Sequence, residues 1–142
     1  MTPLSPHFSL EEAILSQTAS RLGIDNTPPE SVISVMEKAA TGMELVRREL
    51  NSNPIHINSW YRCPALNTAV GSKPTSDHLL GWAIDFTCPT QGTPEQLVRT
   101  LLKSNIDFGQ IIYEFESWVH ISFKGNQRQA LVIDHNGTRL FV

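Results

Sequence analysis

Two cysteines, Cys63 and Cys88, are too few for a disulfide framework. They do not stand in a Cys-x-x-Cys spacing, so both are expected as free thiols, the alternative being one bridge between their two segments. No apolar run approaches the length of a membrane span. There is no basic run and no interleaving of basic with aromatic residues, and the formal net charge is -3. The electrostatic footprint of a nucleic-acid binder is therefore missing. Met1 to His7 lacks the basic start and apolar stretch of a secretory signal, which leads us to expect synthesis in the cytoplasm without a signal peptide. Repeats, low-complexity tracts and linkers are also lacking. What remains is 142 residues with 40% hydrophobic content, enough for one domain around one core.

The order of local signals gives a fold class. Ser9 followed by Glu12 forms a capping box that opens a short first helix, with Gly23 as its stop. Asp25 to Pro29 reads as a loop. From Glu30 to about Asn51, the residues Val32, Met36, Ala39, Met43, Val46 and Leu50 recur at three and four, the stripe of a long helix packed on a core. Gly42 inside that helix costs ~1 kcal/mol against alanine, a cost consistent with close packing. Ile55 to Ser59 predicts a strand, and Pro64 starts a short helix to about Val70. Gly71 to Asp77 is a polar loop, and Gly81 to Thr87 a strand. Thr93 to Gln96 is a second capping box, for a helix ending near Asn105. Strands follow at Ile111 to Phe115, Trp118 to Phe123 and Ala130 to Ile133. An Asn136-Gly137 turn then precedes a last strand, Arg139 to Val142. The expectation is a single α+β domain over residues 1–142, with a central, mostly antiparallel sheet flanked by helices.

Chemistry concentrates in two of these strands. Along Gly81 to Phe86, Trp82, Ile84 and Phe86 point one way, while Gly81, Ala83 and Asp85 point the other. Along Trp118 to Phe123, Val119, Ile121 and Phe123 form the apolar face and Trp118, His120 and Ser122 the opposite one. Neighbouring strands would thus present Asp85 and His120 together, with His78 just upstream. Two imidazoles and a carboxylate suit a catalytic zinc that keeps a fourth position open. Metal-dependent hydrolysis is the leading idea.

Three segments carry a resemblance: Ser59 to Asn67 with Arg62; Ser76 to Asp85 with its Ser-x-His-x-x-Gly-x-Ala-x-Asp spacing; and Trp118 to Ser122 with Trp-x-His. Their order and spacing resemble the M15 family of zinc peptidases, over most of the chain. That family includes D-alanyl-D-alanine carboxypeptidases and bacteriophage endolysins, and the similarity is to its short, phage-type branch. The resemblance implies the fold shared with the Hedgehog signalling domain. It implies zinc held by His78, Asp85 and His120, and peptidoglycan stem peptides as substrate. Arg62 would hold a substrate carboxylate or the developing oxyanion, a task suited to a planar, permanently charged fork. Ser76 would line the site, and Trp118 would either pack or wall a substrate pocket. Much of the family places an acid where this chain has Ser117. Strand parity admits both Glu114 and Glu116 as general base if the strand runs on unbroken, and the phage-type pattern favours Glu114. Asp77 stands where the resemblance leads one to expect glutamine.

Taken singly, each residue has a plainer reading. His78 alone is a loop histidine, Asp85 a buried aspartate satisfied by backbone donors, His120 a half-buried strand residue, and Arg62 a surface ion pair. Trp60 and Tyr61 read as core or rim; His7, His56 and His135 have no assigned role. The joint arrangement favours a metal site. Ser117 keeps a second reading open: a catalytically inactive zinc-binding component of a phage virion, partnered by tail proteins. As an enzyme, the protein would act on the cell wall after release or from the virion.

Overall fold

Alternating and 3.6-period apolar patterns place the elements, and their caps set most of the boundaries. The computed structural model describes all residues, Met1 to Val142. Two short strands, β1 (Pro3–Ser5) and β2 (Phe8–Ser9), form an N-terminal antiparallel pair that the sequence pattern does not announce. Ser9 caps α1 (Leu10–Ile14) by accepting the Glu12 N–H at 3.2 Å. The single helix expected up to Gly23 is instead two. Leu15 is extended, and the Ser16 hydroxyl accepts the Ala19 N–H to open α2 (Gln17–Leu22). A second cap residue inside the run competes with helix continuation. Gly23, at φ 68, ends α2 as expected.

The long helix α3 (Glu30–Glu49) buries Met36, Ala39, Met43 and Val46, with Leu50 buried at its cap. It stops short of Asn51 because Asn51 and Ser52 turn into the left-handed region. At Gly42 a Cβ would overlap the Phe123 ring, so the glycine permits close approach of helix and sheet. Then come β3 (His56–Ser59) and α4 (Pro64–Ala69), the latter capped by the Cys63 sulfur. A 3-10 turn (Asp77–Leu80) occupies ground read as loop and strand approach. It leads into β4 (Ala83–Thr87), and α5 (Pro94–Leu102) follows with its capping box complete. The chain finishes with β5 (Gln110–Glu114), β6 (Trp118–Ser122), β7 (Gln129–Asp134) and β8 (Gly137–Leu140). The last hairpin turns at His135 and Asn136, one residue earlier than expected; Gly137, at φ 102, already pairs with Asp134.

One six-stranded sheet runs β3-β4-β6-β5-β7-β8, antiparallel except for the β5–β7 pair. The molecule is thus a single mixed α+β domain. Its core lies on one face of the sheet. Ile84, Phe86, Ile111, Val119 and Ile121 are fully buried there against α3 and α5, with Val98, Leu101 and Phe108. The opposite face carries Ser59, Asp85, His120 and Ile112 in one row across four strands. Both cysteines are free and buried, and no helix is long and apolar enough to cross a membrane.

Candidate metal centre

Sheet register builds the centre. Asp85 and His120 are direct partners across β4 and β6, so their side chains leave the same face side by side. His120 Nδ1 lies 2.8 Å from Asp85 Oδ1. The third member, His78, comes from the 3-10 turn above the sheet, its Nε2 3.3 Å from Asp85 Oδ2 and its ring centroid 5.2 Å from that of His120. His78 Nδ1 sits 2.6 Å from the Trp60 carbonyl oxygen. A carbonyl only accepts, so Nδ1 carries a proton toward Trp60, and Nε2 is the ring nitrogen turned toward Asp85. A ring nitrogen held in this way is the usual support behind a histidine ligand.

All three residues are buried, and one ligand atom from each lies within 4.8 Å of the others. Two imidazole nitrogens and a carboxylate oxygen are the donor types of a catalytic zinc. The residues present therefore fit zinc in both chemistry and convergence.

The charges are strongly coupled. Burial alone would raise the Asp85 pKa, but the positive charge on His78 and hydrogen bonds from both histidines outweigh it and hold the carboxyl well below its usual range. Burial would lower the His120 pKa; the hydrogen bond to Asp85 and the surrounding carboxylates reverse this and raise it.

Glu114 stands at the end of β5, opposite Trp118, with Oε1 3.7 Å from His120 Nδ1. Burial, reinforced by the Asp85 charge, raises its pKa against the opposing pull of His120 and Arg62. Glu116 is elsewhere. Residues 115–117 form a tight turn, with φ 49 at Phe115 and 57 at Glu116, closed by a hydrogen bond from the Ser117 N–H to the Glu114 carbonyl. The strand does not run on unbroken, so parity with His120 fails beyond Glu114, and Glu116 and Ser117 are exposed.

Arg62 donates from Nε to Ser59 Oγ and from Nη1 to Asn67 Oδ1, both at 3.3 Å, and brings Nη2 to 3.6 Å from Asp85. Burial lowers its pKa, although Asp85 and Glu114 favour the cation. Ser76 accepts the His78 N–H at 3.2 Å, so its hydroxyl caps the turn that carries His78. Trp118 is half-buried against Phe115, and its indole N–H is buried without a partner. A cavity of about 410 Å³ borders the centre on the β3 side, lined by Thr18, Ser59, Tyr61, Arg62, Leu66 and Val70 among others. His56 lines it but His78, Asp85 and His120 do not; it meets the cluster through Arg62.

Some contributors left no readable mark in the sequence. Trp60 acts through its carbonyl on His78, while its Nε1–H donates to the Gly81 carbonyl at 2.9 Å. Asn26, buried, donates to the carbonyls of Ile14 and Tyr61 and accepts the Cys63 N–H, fixing the backbone on both sides of Arg62. His7 pairs with Glu44, His56 lies exposed on β3 and His135 packs on Phe115, all outside the three-residue cluster.

A family model described as Peptidase M15 matches residues 6–122, ending on the last residue of β6. No curated protein matches the chain.

Proposed function

The chain belongs to the peptidase M15 family, and from that premise we propose that it is a zinc-dependent peptidase hydrolysing peptide bonds in peptidoglycan stem peptides. The bond would be that of a D-alanyl-D-alanine carboxypeptidase or of an endolysin-type endopeptidase. One observation carries the reading: His78, Asp85 and His120 converge on one face, with the carboxylate of Glu114 3.7 Å from His120.

In this reading His78, Asp85 and His120 hold the zinc. Zinc bound there supplies Lewis acidity, which polarises a carbonyl and acidifies a water. Glu114 takes a proton at a carboxylate oxygen and returns it to the leaving amine. In the metal-free fold burial raises its pKa, and a general base works best with its pKa near the operating pH. Arg62, steadied by Ser59 and Asn67, presents fixed positive charge to the substrate carboxylate or to the developing oxyanion. Substrate enters the cavity beside Arg62, and Trp118 walls the side next to Glu114. The place of action is the bacterial cell wall, reached after release from the producing cell or as part of a phage particle.

The test is mass spectrometry of purified peptidoglycan after digestion with zinc-loaded and with chelator-treated protein. New peptide fragments that need zinc are expected, and their masses name the bond. Unchanged peptidoglycan in both samples would overturn the proposal and leave a binding or structural role.

A further inference from the structure

Asp77 plays no part in the chemistry above, yet it sits next to His78 and is tied across the fold. The Ser122 hydroxyl donates to Asp77 Oδ2 at 2.7 Å. Ser122 is almost completely buried and lies two residues after His120, on the same face of β6. Its oxygen also accepts the Lys124 N–H at 3.3 Å, which fixes the hydroxyl in place. Asp77 opens the 3-10 turn, and its own carbonyl accepts the Trp82 N–H at 3.2 Å.

His78 also meets Asp85 on β4, and the Phe123 N–H bonds the Trp82 carbonyl just past the turn, while three further hydrogen bonds lie on the far side. His78 Nδ1 bonds the Trp60 carbonyl, the Arg62 N–H bonds the His78 carbonyl, and Trp60 Nε1 bonds the Gly81 carbonyl. All of these lead to the segment after β3. The Asp77–Ser122 bond joins the turn that carries His78 directly to the strand that carries His120, between residues 45 apart in sequence.

We infer that Asp77 and Ser122 form a strap that sets the separation of the two histidines, and so act as positioning residues for the metal centre. The inference rests on the zinc reading of His78, Asp85 and His120. A metal fixes its ligands within narrow distances, and groups that orient those ligands typically change affinity 10- to 100-fold when removed. The strap needs only an acceptor oxygen at position 77, which Asp77 Oδ2 supplies to the buried Ser122 hydroxyl.

The test measures zinc affinity by competition with a chromophoric chelator, on wild type and on the Ser122→Ala, Asp77→Ala, Asp77→Asn and double Asp77→Ala/Ser122→Ala proteins, with thermal unfolding of each metal-free protein as the folding control. Wild type that takes up no zinc would overturn the metal reading itself. Given wild-type binding, Ser122→Ala and Asp77→Ala should each weaken zinc by ~10-fold or more. The double variant should be no worse than the singles, because both remove one bond. Asp77→Asn keeps an acceptor oxygen and should bind within about threefold of wild type. The cobalt-substituted visible spectrum should shift in the alanine variants and not in Asp77→Asn. Asp77→Asn as weak as Asp77→Ala, with Ser122→Ala like wild type, would show that charge acts instead and overturn the strap. Unchanged affinity in all variants would overturn it as well.

Discussion

Asp85 and His120 face each other across β4 and β6, Oδ1 to Nδ1 at 2.8 Å, so the centre takes its spacing from sheet register. A one-residue slip of either strand would turn its own ligand into the core face and leave the other without its partner. Register here is enforced by the fully buried Ile84, Phe86, Val119 and Ile121, none of which contributes a ligand. His78→Ala, Asp85→Ala and His120→Ala should therefore each keep the fold and lose zinc and metal-dependent hydrolysis. Metal analysis of the purified proteins, with far-ultraviolet circular dichroism as control, checks this. Full activity of His120→Ala with no bound metal would contradict it.

Glu114→Gln separates chemistry from metal holding. The amide fills the same volume but takes no proton, so turnover should fall by roughly 100- to 10,000-fold with zinc still bound. Because burial raises the Glu114 pKa, its ionised form is disfavoured in the fold, and metal-free Glu114→Gln should be at least as stable as wild type at neutral pH. Glu116 is exposed in the turn, so Glu116→Gln should leave both turnover and stability near wild type. A Glu116 variant as inactive as the Glu114 variant would reverse the assignment.

The metal-free protein should carry a pH signature of the centre. Asp85 is held below its usual range, so its contribution is present above the unfolded value of about 3.9 and is lost as pH falls through the lower folded value. His120 is raised, so its contribution is full below about 6.5 and is lost as pH rises through the folded value. With chelator present, the melting temperature should therefore decline on both sides of a mildly acidic maximum. In His120→Ala the alkaline decline should shrink. An alkaline limb that is the same in both proteins would assign the titration elsewhere.

Much of this was readable from period and caps. The 3.6-residue stripe from Met36 to Leu50 and the alternation around Asp85 and His120 are direct consequences of burying one face, and burial is what the sequence pattern records. The capping box at Thr93 is complete because its two hydrogen bonds span only three residues, so the local sequence suffices to specify it. Features made by backbone or by distant partners were not readable. The split at Ser16 depends on a hydroxyl competing with the helix. The turn at Phe115 and Glu116 places two non-glycine residues at positive φ, against their local preference. The Trp60 carbonyl that orients His78 has no side-chain signature at all, and β1 with β2 is too short to show a period.

Gly81 shows how backbone conformation reaches the site. It closes the His78 turn at φ 85, and a Cβ there would lie 2.7 Å from Met36 Cγ and 3.3 Å from the Val32 carbonyl oxygen. Gly81→Ala meets both the left-handed penalty of roughly 1–2 kcal/mol and an overpacking cost of about 1–3 kcal/mol. The variant should lose stability in urea unfolding and also bind zinc more weakly, since the same turn carries His78. Wild-type stability together with wild-type zinc affinity would mean that the turn yields freely.

Asn26 provides the corresponding test for Arg62. Its amide nitrogen bonds the carbonyls of Ile14 and Tyr61 at 2.9 and 3.0 Å, and its oxygen accepts the Cys63 N–H at 2.8 Å. Tyr61 and Cys63 flank Arg62, so one side chain holds the local backbone that aims the guanidinium. Asn26→Ala removes three hydrogen bonds and leaves buried backbone groups unpaired, each costing about 1–3 kcal/mol where water cannot replace the partner. Asn26→Asp keeps the acceptor for Cys63 but sets an oxygen against two carbonyls, so it should be no better than alanine. Both variants should unfold at clearly lower urea. At temperatures where they remain folded, they should lose more turnover than zinc affinity, because Asn26 bonds none of the ligands itself, although the segment it holds also bonds the His78 turn. Stability within about 0.5 kcal/mol of wild type, the range of an ordinary surface change, would show that Asn26 is not what holds Arg62 in place.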